Sequence, residues 1–507
     1  MESGASKEAD RKRGERPVIS RWLAIGIVAT TLTACVGTPR VSGVPGASPS
    51  PQIPWKPPAS AVHSVTPADT STAAAVPPGL ASRIQRLTLA EIVDIGLRNN
   101  AATRVAWANA ESAAASYGSA RGEWLPTIDG NVTASRIKTT GTAGRVSVQQ
   151  SLVNPSVSLS YLLLDLGGRT GRVEGARQRL LAAGFTHNAA IQDVVLQIEV
   201  AYFQYLANRS LLEAQRTTLQ EAQANLAAAE ERRRVGVATI ADVLQARTAA
   251  SQAQLDLQTT EGNRQTARGA LALALGFPAN LPYDVDTTAG GALVATLSDS
   301  VDALIAAALQ GRPDLAAARS EAAAAHAAVS EARSSLLPSL QVDATGGRTW
   351  ATTIPNGANS YTLSLGLSIP LFNGFSRQYD LRAARFDAVA AAARNESLRQ
   401  QVVFQVFSAY YSLQTSTGRV RTAGDLVASA QQSSEVARAR YKAGVGTVLD
   451  LLAAQSALAS ARAQLVDARL TWNVSLAQLA HDAGVLDPHG GSPLRFSSDT
   501  VNPTPPQ

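Results

Sequence analysis

The chain has 507 residues, a formal net charge of +6, and 45% hydrophobic, 17% charged and 5% aromatic side chains. Apolar material is ample, but bulky aromatic fillers are scarce. That argues against one thick globular core and for thin helix-on-helix packing. The single cysteine excludes a disulfide framework and any zinc site built from several thiolates.

The N-terminus opens with Lys7, Arg11, Lys12, Arg13, Arg16 and Arg21, followed by an apolar run from Leu23 to Leu32. The run is too short for a membrane-spanning helix, which needs about 20 residues, and has the form of a secretory leader. Leu32-Thr33-Ala34-Cys35 closes it and resembles a bacterial lipobox, which makes Cys35 the expected lipidation site; an ordinary leader with a chance cysteine is the alternative. Val36, rather than Asp, follows; in Gram-negative lipoproteins that favours the outer membrane. The next stretch is rich in Pro, Ser, Thr and Ala and reads as an extended tether.

Beyond the tether the chain is written twice. Leu125-Pro126 recurs as Leu337-Pro338, Gly236 and Asp242 recur as Gly444 and Asp450, and Asp165 and Arg177 match Asn373 and Arg385. Several anchors in one register mark a duplicated unit of about 200 residues. The chain thus divides into a leader at 1–34, an anchor and tether at 35–86, a first repeat at 87–278, a connecting segment at 279–300, a second repeat at 301–485 and a tail at 486–507.

Each copy reads helix, strand, strand, long helix, turn, helix. Tyr361, Leu363, Leu365, Leu367, Ile369 and Leu371 alternate with Thr362, Ser364, Gly366 and Ser368; Val157, Leu159, Tyr161 and Leu163 alternate with Ser156, Ser158 and Ser160. Ile128, Gly130, Val132 and Ala134 oppose Asp129, Asn131, Thr133 and Ser135, while Leu340, Val342 and Ala344 oppose Gln341, Asp343 and Thr345. Four strands of about 9–11 residues are expected, the length that crosses an outer membrane when tilted. A sandwich with one wet face is the alternative, but the polar face carries Ser, Thr and Gly rather than the Lys and Glu of a solvated sheet.

Arg169 to Arg234 and Ser376 to Lys442 contain no proline, and each would span about 100 Å as a single helix. After the second, Leu451, Leu458, Leu465, Trp472 and Leu479 fall at heptad spacing, with Ala454, Ala461, Ala468 and Ser475 on the partner position. A large position facing a small one makes a tight coiled-coil seam. The first copy keeps the small set as Ala246, Ala253, Thr260 and Ala267, while Ala250 and Arg264 interrupt the large one.

The chemistry of catalysis is missing from the pattern. Gly167-Gly168-Arg169-Thr170-Gly171 lacks the lysine and the glycine spacing of a phosphate loop. The five histidines are scattered without metal spacing, and no Gly-x-Ser-x-Gly elbow exists, so neither an enzyme nor a metal or cofactor site is expected. Arg232-Arg233-Arg234 follows Glu230-Glu231 with no interleaved aromatic platform, so no nucleic-acid partner is expected.

From Leu87 to Val485 the chain resembles the TolC-like outer-membrane factor family. The likeness rests on the duplication, the strand pairs, Leu371-Phe372-Asn373-Gly374 opening a long helix, Asp165-Leu166-Gly167-Gly168-Arg169 in the equivalent place, and the two hairpin tips around Gly236 and Gly444. The resemblance implies a mixed α and β membrane protein, a long α-helical coiled-coil barrel plus four strands per protomer in a twelve-stranded trimeric β-barrel. Elementary physics requires association as well. Four strands cannot close, and an open edge in lipid leaves backbone groups unpaired. A dimer or a trimer would satisfy that need; the resemblance implies a homotrimer.

The resemblance further implies an efflux duct with a periplasmic adaptor and an inner-membrane transporter as partners. A lipid anchor and outer-membrane lipid would hold it in place, with the helices in the periplasm. Adaptor contact is expected at the tips, through Gly236, Val237, Gly444, Val445 and Thr447. Tyr441 and Asp450 match family positions lining the periplasmic aperture, where three Asp450 carboxylates would form an anionic ring. The neighbouring family acid is Ala453 here and the family's gate arginine is Gly446, which argues against a salt-bridge latch of the usual kind. Asp242 reads instead as an ordinary helix-start acid. Type I protein secretion uses the same architecture and is the alternative function; an adhesive coiled-coil lipoprotein or an adaptor would not explain the duplicated strands.

Overall fold

The computed structural model describes residues 88–140, 147–280, 285 and 300–486. The leader, Cys35, the tether, most of the connecting segment and nearly all of the tail lie outside the described residues. In chain order the elements are α1 (Leu89–Asn99), α2 (Ala101–Gly122), β1 (Thr127–Thr140), β2 (Ser147–Leu164), α3 (Gly168–Arg234), α4 (Ile240–Ala274), α5 (Val301–Gly311), α6 (Pro313–Ser334), β3 (Ser339–Ala351), β4 (Ile354–Ser368), α7 (Ser376–Lys442) and α8 (Val448–Asp482). The duplicated order follows the sequence with one refinement: the helix opening each copy is broken in two. Asn100 makes the first break, its Oδ1 accepting from Ala102 N–H at 2.8 Å; Arg312 before Pro313 makes the second.

The four strands form one antiparallel sheet in the order β1-β2-β3-β4. Its register aligns the apolar sets on one face as far as Leu367, while Ile369 and Leu371, expected in the last strand, lie past its end at Ser368. Ile128 pairs with Leu159 and Val132 with Pro155; Leu159 pairs with Ala344 and Tyr161 with Val342; Ala344 pairs with Leu363 and Val342 with Leu365. Directly paired residues share a face, so the opposite face collects Asp129, Asn131, Ser158, Ser160, Asp343, Thr345, Thr362 and Ser364. Leu163 falls in the one irregularity of the β2–β3 ladder, between Leu162 and Leu164, which removes it from the simple alternation.

Strand length corrects the sequence expectation. The strands hold 14, 18, 13 and 15 residues rather than 9–11. They outrun the apolar band. Past Ala134 and Val153 the same face turns to Arg136, Lys138 and Gln149, so the surplus residues of β1 and β2 suit water rather than hydrocarbon. On that face β3 carries Arg348 and then Trp350, which pairs with Val153.

The strands run directly into helices, and the helices keep the strand order. α2 packs against α3, α3 against α6, and α6 against α7. The middle pair approaches closely: a Cβ on Gly171 of α3 would lie 2.8 Å from the backbone nitrogen of Glu331 on α6. Arg172 ties the row together, pairing with Glu331 at 2.8 Å and also with Glu123 at the end of α2. The flanking helices are different. From Ser376 to Gln401, α7 buries no residue, and it exposes Tyr379, Phe386 and Val389; α2 buries only Thr103 and Ala120 and exposes Val105 and Trp107.

Further along, α3 pairs with α4 and α7 with α8 to give two long hairpins. α3 and α7 each hold 67 residues, or about 100 Å. The heptad seam packs as its spacing requires: Leu451, Leu458, Trp472, Leu479, Ala461 and Ala468 are buried on α8, and Ala246, Ala253, Thr260 and Ala267 on α4. At mid-length both repeats share one core. Ile92, Val194, Ile198, Tyr202 and Leu271 from the first meet Leu304, Val402, Val406, Trp472 and Leu479 from the second.

Candidate functional site at the helix-hairpin tips

Each long helix ends in the same turn. The N–H of Val237 donates to Arg232 O at 2.9 Å and that of Gly236 to Arg233 O at 3.0 Å; in the second copy Val445 donates to Arg440 O at 3.0 Å and Gly444 to Tyr441 O at 3.2 Å. This double closure requires a left-handed residue after the helix, supplied by Gly236 at φ +82° and Gly444 at φ +78°. A Cβ on either glycine would meet nothing within 4 Å, so the requirement is backbone conformation alone, not space.

The return helices start with matching capping boxes. Thr239 N–H donates to Asp242 Oδ2 at 2.8 Å while Thr239 Oγ1 accepts from Asp242 N–H at 3.2 Å. Thr447 and Asp450 repeat the exchange at 3.2 and 3.1 Å. Asp242 is therefore the helix-start acid that the sequence indicates, and Asp450 has the same local bonding. The Asp450 carboxyl is fully exposed. Its pKa lies below the usual carboxylate range, held there by the Thr447 hydroxyl, then the Thr447 N–H, with a smaller pull from Arg440. The sequence from Ala443 to Ala461 holds no basic residue, but the fold brings Arg440 within electrostatic reach.

Thr447 is thus committed to its cap, whereas Val237 and Val445 point outward, 70% and 68% exposed. Ile240 and Leu244 beside the first tip, and Leu449 beside the second, are also exposed. Such clusters at the ends of capped helices offer apolar contact on a rigid mount. Gly446 is confined instead: a Cβ there would lie 3.1 Å from Arg440 Cβ and 3.2 Å from Tyr441 N. The turn packs against the end of α7 and leaves little room for an arginine at that position.

Tyr441 is buried against Val448 and Leu451. Arg232 of the other hairpin covers its ring, with Cζ 4.3 Å from the centroid, and donates from Nη2 to Lys442 O at 3.3 Å. Higher up, Arg438 pairs with Glu221 at 3.5 Å, and Asn225 Nδ2 donates to Gln455 Oε1 at 2.5 Å. Sequence reading missed Arg232, which stood out only as part of a basic run. Its partner was legible as an aromatic one turn from the second tip, but the pairing belongs to the tertiary structure. Among the described residues no group of His, Cys, Asp and Glu could hold a metal ion, and no helix is long and apolar enough to cross a membrane.

A sheet with one continuous apolar face, carrying two capped helical hairpins, defines an outer-membrane channel protein of the TolC type. The outer membrane efflux protein family matches residues 93–277 and 304–485, and the chain belongs to that family. Among its relatives, Protein CyaE of Bordetella pertussis is 28% identical over 390 residues, covering 76% of this chain and 81% of that protein. The solvent efflux pump outer membrane protein SrpC of Pseudomonas putida is 27% identical over 387 residues, covering 75% and 82%. In fold, the chain is similar to the CmeC outer membrane channel of Campylobacter jejuni, with a TM-score of 0.71 at 20% identity over 78% of this chain and 85% of that one.

Proposed function

We propose that three copies of this chain close into a twelve-stranded barrel continued by a helical tunnel. In this reading the tunnel is the exit duct of a tripartite efflux system, fed by an inner-membrane pump through a periplasmic adaptor. The observation that carries it is the pair of free edges. β1 and β4 end the sheet, and α2 and α7 end the helical row on the same two sides, exposing Val105 and Trp107 on one and Tyr379, Phe386 and Val389 on the other. Joining unlike edges head to tail makes a ring and satisfies the strand backbones in lipid. The apolar face then meets hydrocarbon, and the Ser, Thr and Asp face lines a watery lumen.

The tips fit the adaptor through Gly236, Val237, Gly444, Val445 and Thr447, where glycine shapes each turn, Thr447 fixes its rim and the valines supply contact area. Asp450, and Tyr441 behind it, belong to the aperture, with Arg232 and Tyr441 holding the two hairpins together in the closed duct. Cys35 carries the lipid anchor. A relative named as part of a solvent efflux pump favours small-molecule efflux over protein secretion. The test is the mass of the detergent-purified protein together with cysteine cross-linking from Val237 and Val445 in cells. A trimer that conducts in planar bilayers and cross-links to an adaptor is expected. A non-conducting monomer would overturn the reading.

A further inference from the structure

We propose that His481 is a pH-sensitive clamp between the two repeats, set where the second helical hairpin is rooted. The clamp stands on geometry; only its conductance readout rests on the channel reading above. α8 runs from the tip to Asp482, so its last turn is the root of that hairpin. There His481 Nε2 lies 2.9 Å from Asp193 Oδ1 on α3, and Nδ1 lies 3.0 Å from Asp482 Oδ1. One imidazole therefore touches a carboxylate from each repeat. Asp482 is buried and also accepts from Gln478 Nε2 at 3.0 Å, with Arg312 Nη1 at 3.9 Å. Arg312, buried as well, is gripped by Asp314 at 3.0 and 2.6 Å and donates to Gln405 of α7 at 2.7 Å. The charged groups around the ring are thus Asp193 from α3, Asp482 from α8, and Arg312 and Asp314 from the α5–α6 junction; α7 contributes the neutral Gln405 amide.

Only the imidazolium donates from both nitrogens. A neutral ring keeps one N–H and turns a lone pair toward the other carboxylate, so one of the two links is lost. Burial pushes the His481 pKa down, but the hydrogen bonds and charges of Asp482 and Asp193 outweigh it, and the net shift is upward. A raised folded value places the clamp's stabilisation fully below about pH 6.5, and it is lost as pH rises through the folded pKa. Alkaline conditions therefore loosen the root of α8 from α3 and free the second hairpin to move against the first. Glu199, further along α3 and pushed up to about 7 by burial, titrates in an overlapping range, so the readout must be local to α8.

Hydrogen exchange over residues 476–486 of the purified full-length protein, at pH 6 and pH 9 and normalised to intrinsic rates, isolates that root. Wild type should lose protection several-fold at pH 9. His481→Gln, neutral throughout, should show low protection at both. So should Asp193→Ala, which removes the partner on α3 at a 57% exposed side chain and leaves the core intact. Equal protection of wild type at both pH values, or a wild-type pH response in His481→Gln, would overturn the clamp. In planar bilayers the wild type should open more often at pH 9 and His481→Gln should be flat with pH. Absence of conductance from every variant would count against the channel reading, and the exchange result would still decide the clamp.

Discussion

Leu365→Arg tests the face assignment on which the membrane reading depends. Leu365 is 65% exposed, sits in β4 between Leu363 and Leu367 on the same face, and pairs directly with Val342. Its alternate neighbour Ser364 points the other way and pairs with Asp343, whose carbonyl accepts from Ser364 Oγ at 3.4 Å. If the apolar face meets lipid, arginine at 365 costs about 2–4 kcal/mol near the midplane. The lower figure already shifts a population by about 30-fold. Arginine at 364 should cost little, because it enters the polar face. The assay is the amount of assembled protein in outer-membrane fractions, with Leu365→Ile as a volume control. A strong deficit confined to Leu365→Arg supports the assignment; equal deficits, or a larger one for Ser364→Arg, would refute the reasoning.

Four further outcomes are expected. Gly444→Val places a β-branched residue at φ +78° in open space, a backbone strain of about 1–2 kcal/mol, and should abolish efflux while membrane levels persist; loss of the assembled protein itself would reduce the glycine to a helix cap. Asp450→Asn should lower the cation preference of the reconstituted channel and its block by multivalent cations, measured at two salt concentrations, since exposed charge is screened over about 8–10 Å. Glu199→Gln should flatten the pH dependence of thermal unfolding. Burial raises this carboxyl to about 7, so its charging penalty, about 3 kcal/mol, is absent below about pH 4.5 and complete only above the folded value. Cys35→Ser should abolish incorporation of labelled fatty acid and leave an unprocessed precursor by mass; absence of label in the wild type would remove the lipoprotein assignment.

What the sequence made legible was local or periodic. Alternation in Val157 to Tyr161 and in Tyr361 to Leu367 assigns faces because a strand repeats every two residues, and the register joins those faces without exception outside the β2–β3 irregularity. Gly236 and Gly444 announce their turns because little else tolerates a positive φ there. Two pairings stayed hidden because they arise between segments far apart in the chain. Arg232 meets Tyr441, and Asp193 meets His481, only after the hairpins align. Strand length was underestimated because apolar alternation marks the band, while ladder pairing continues through Arg136, Lys138 and Gln149. The two break points at Asn100 and Arg312 also differ in kind: an Asn cap and an Arg-Pro junction share a position without sharing a motif.

The order of the helices has a cause in the order of the strands. α2 leads into β1, β2 into α3, α6 into β3 and β4 into α7, each within a few residues, so the sequence β1-β2-β3-β4 across the sheet leaves α2-α3-α6-α7 as the row alongside it. Both β-to-α junctions turn through paired left-handed residues, Leu166 and Gly167 in the first repeat and Gly374 and Phe375 in the second, which fixes helix direction relative to strand. Two of these four are not glycine, a strain of about 1–2 kcal/mol each, and both copies keep it. In the proposed ring, sheet and helices close with the same number of chains, since neither can form a ring without carrying the other. Lipid makes the demand at the strand edges, where unpaired backbone costs several kcal/mol per group. The proposed tunnel would inherit its symmetry from that demand, with one copy of each hairpin per protomer at the tips. Two similar hairpins per chain nevertheless leave the tips unequal: Ala238 occupies the turn of the first and the confined Gly446 that of the second, with Arg232 reaching from one across Tyr441 of the other.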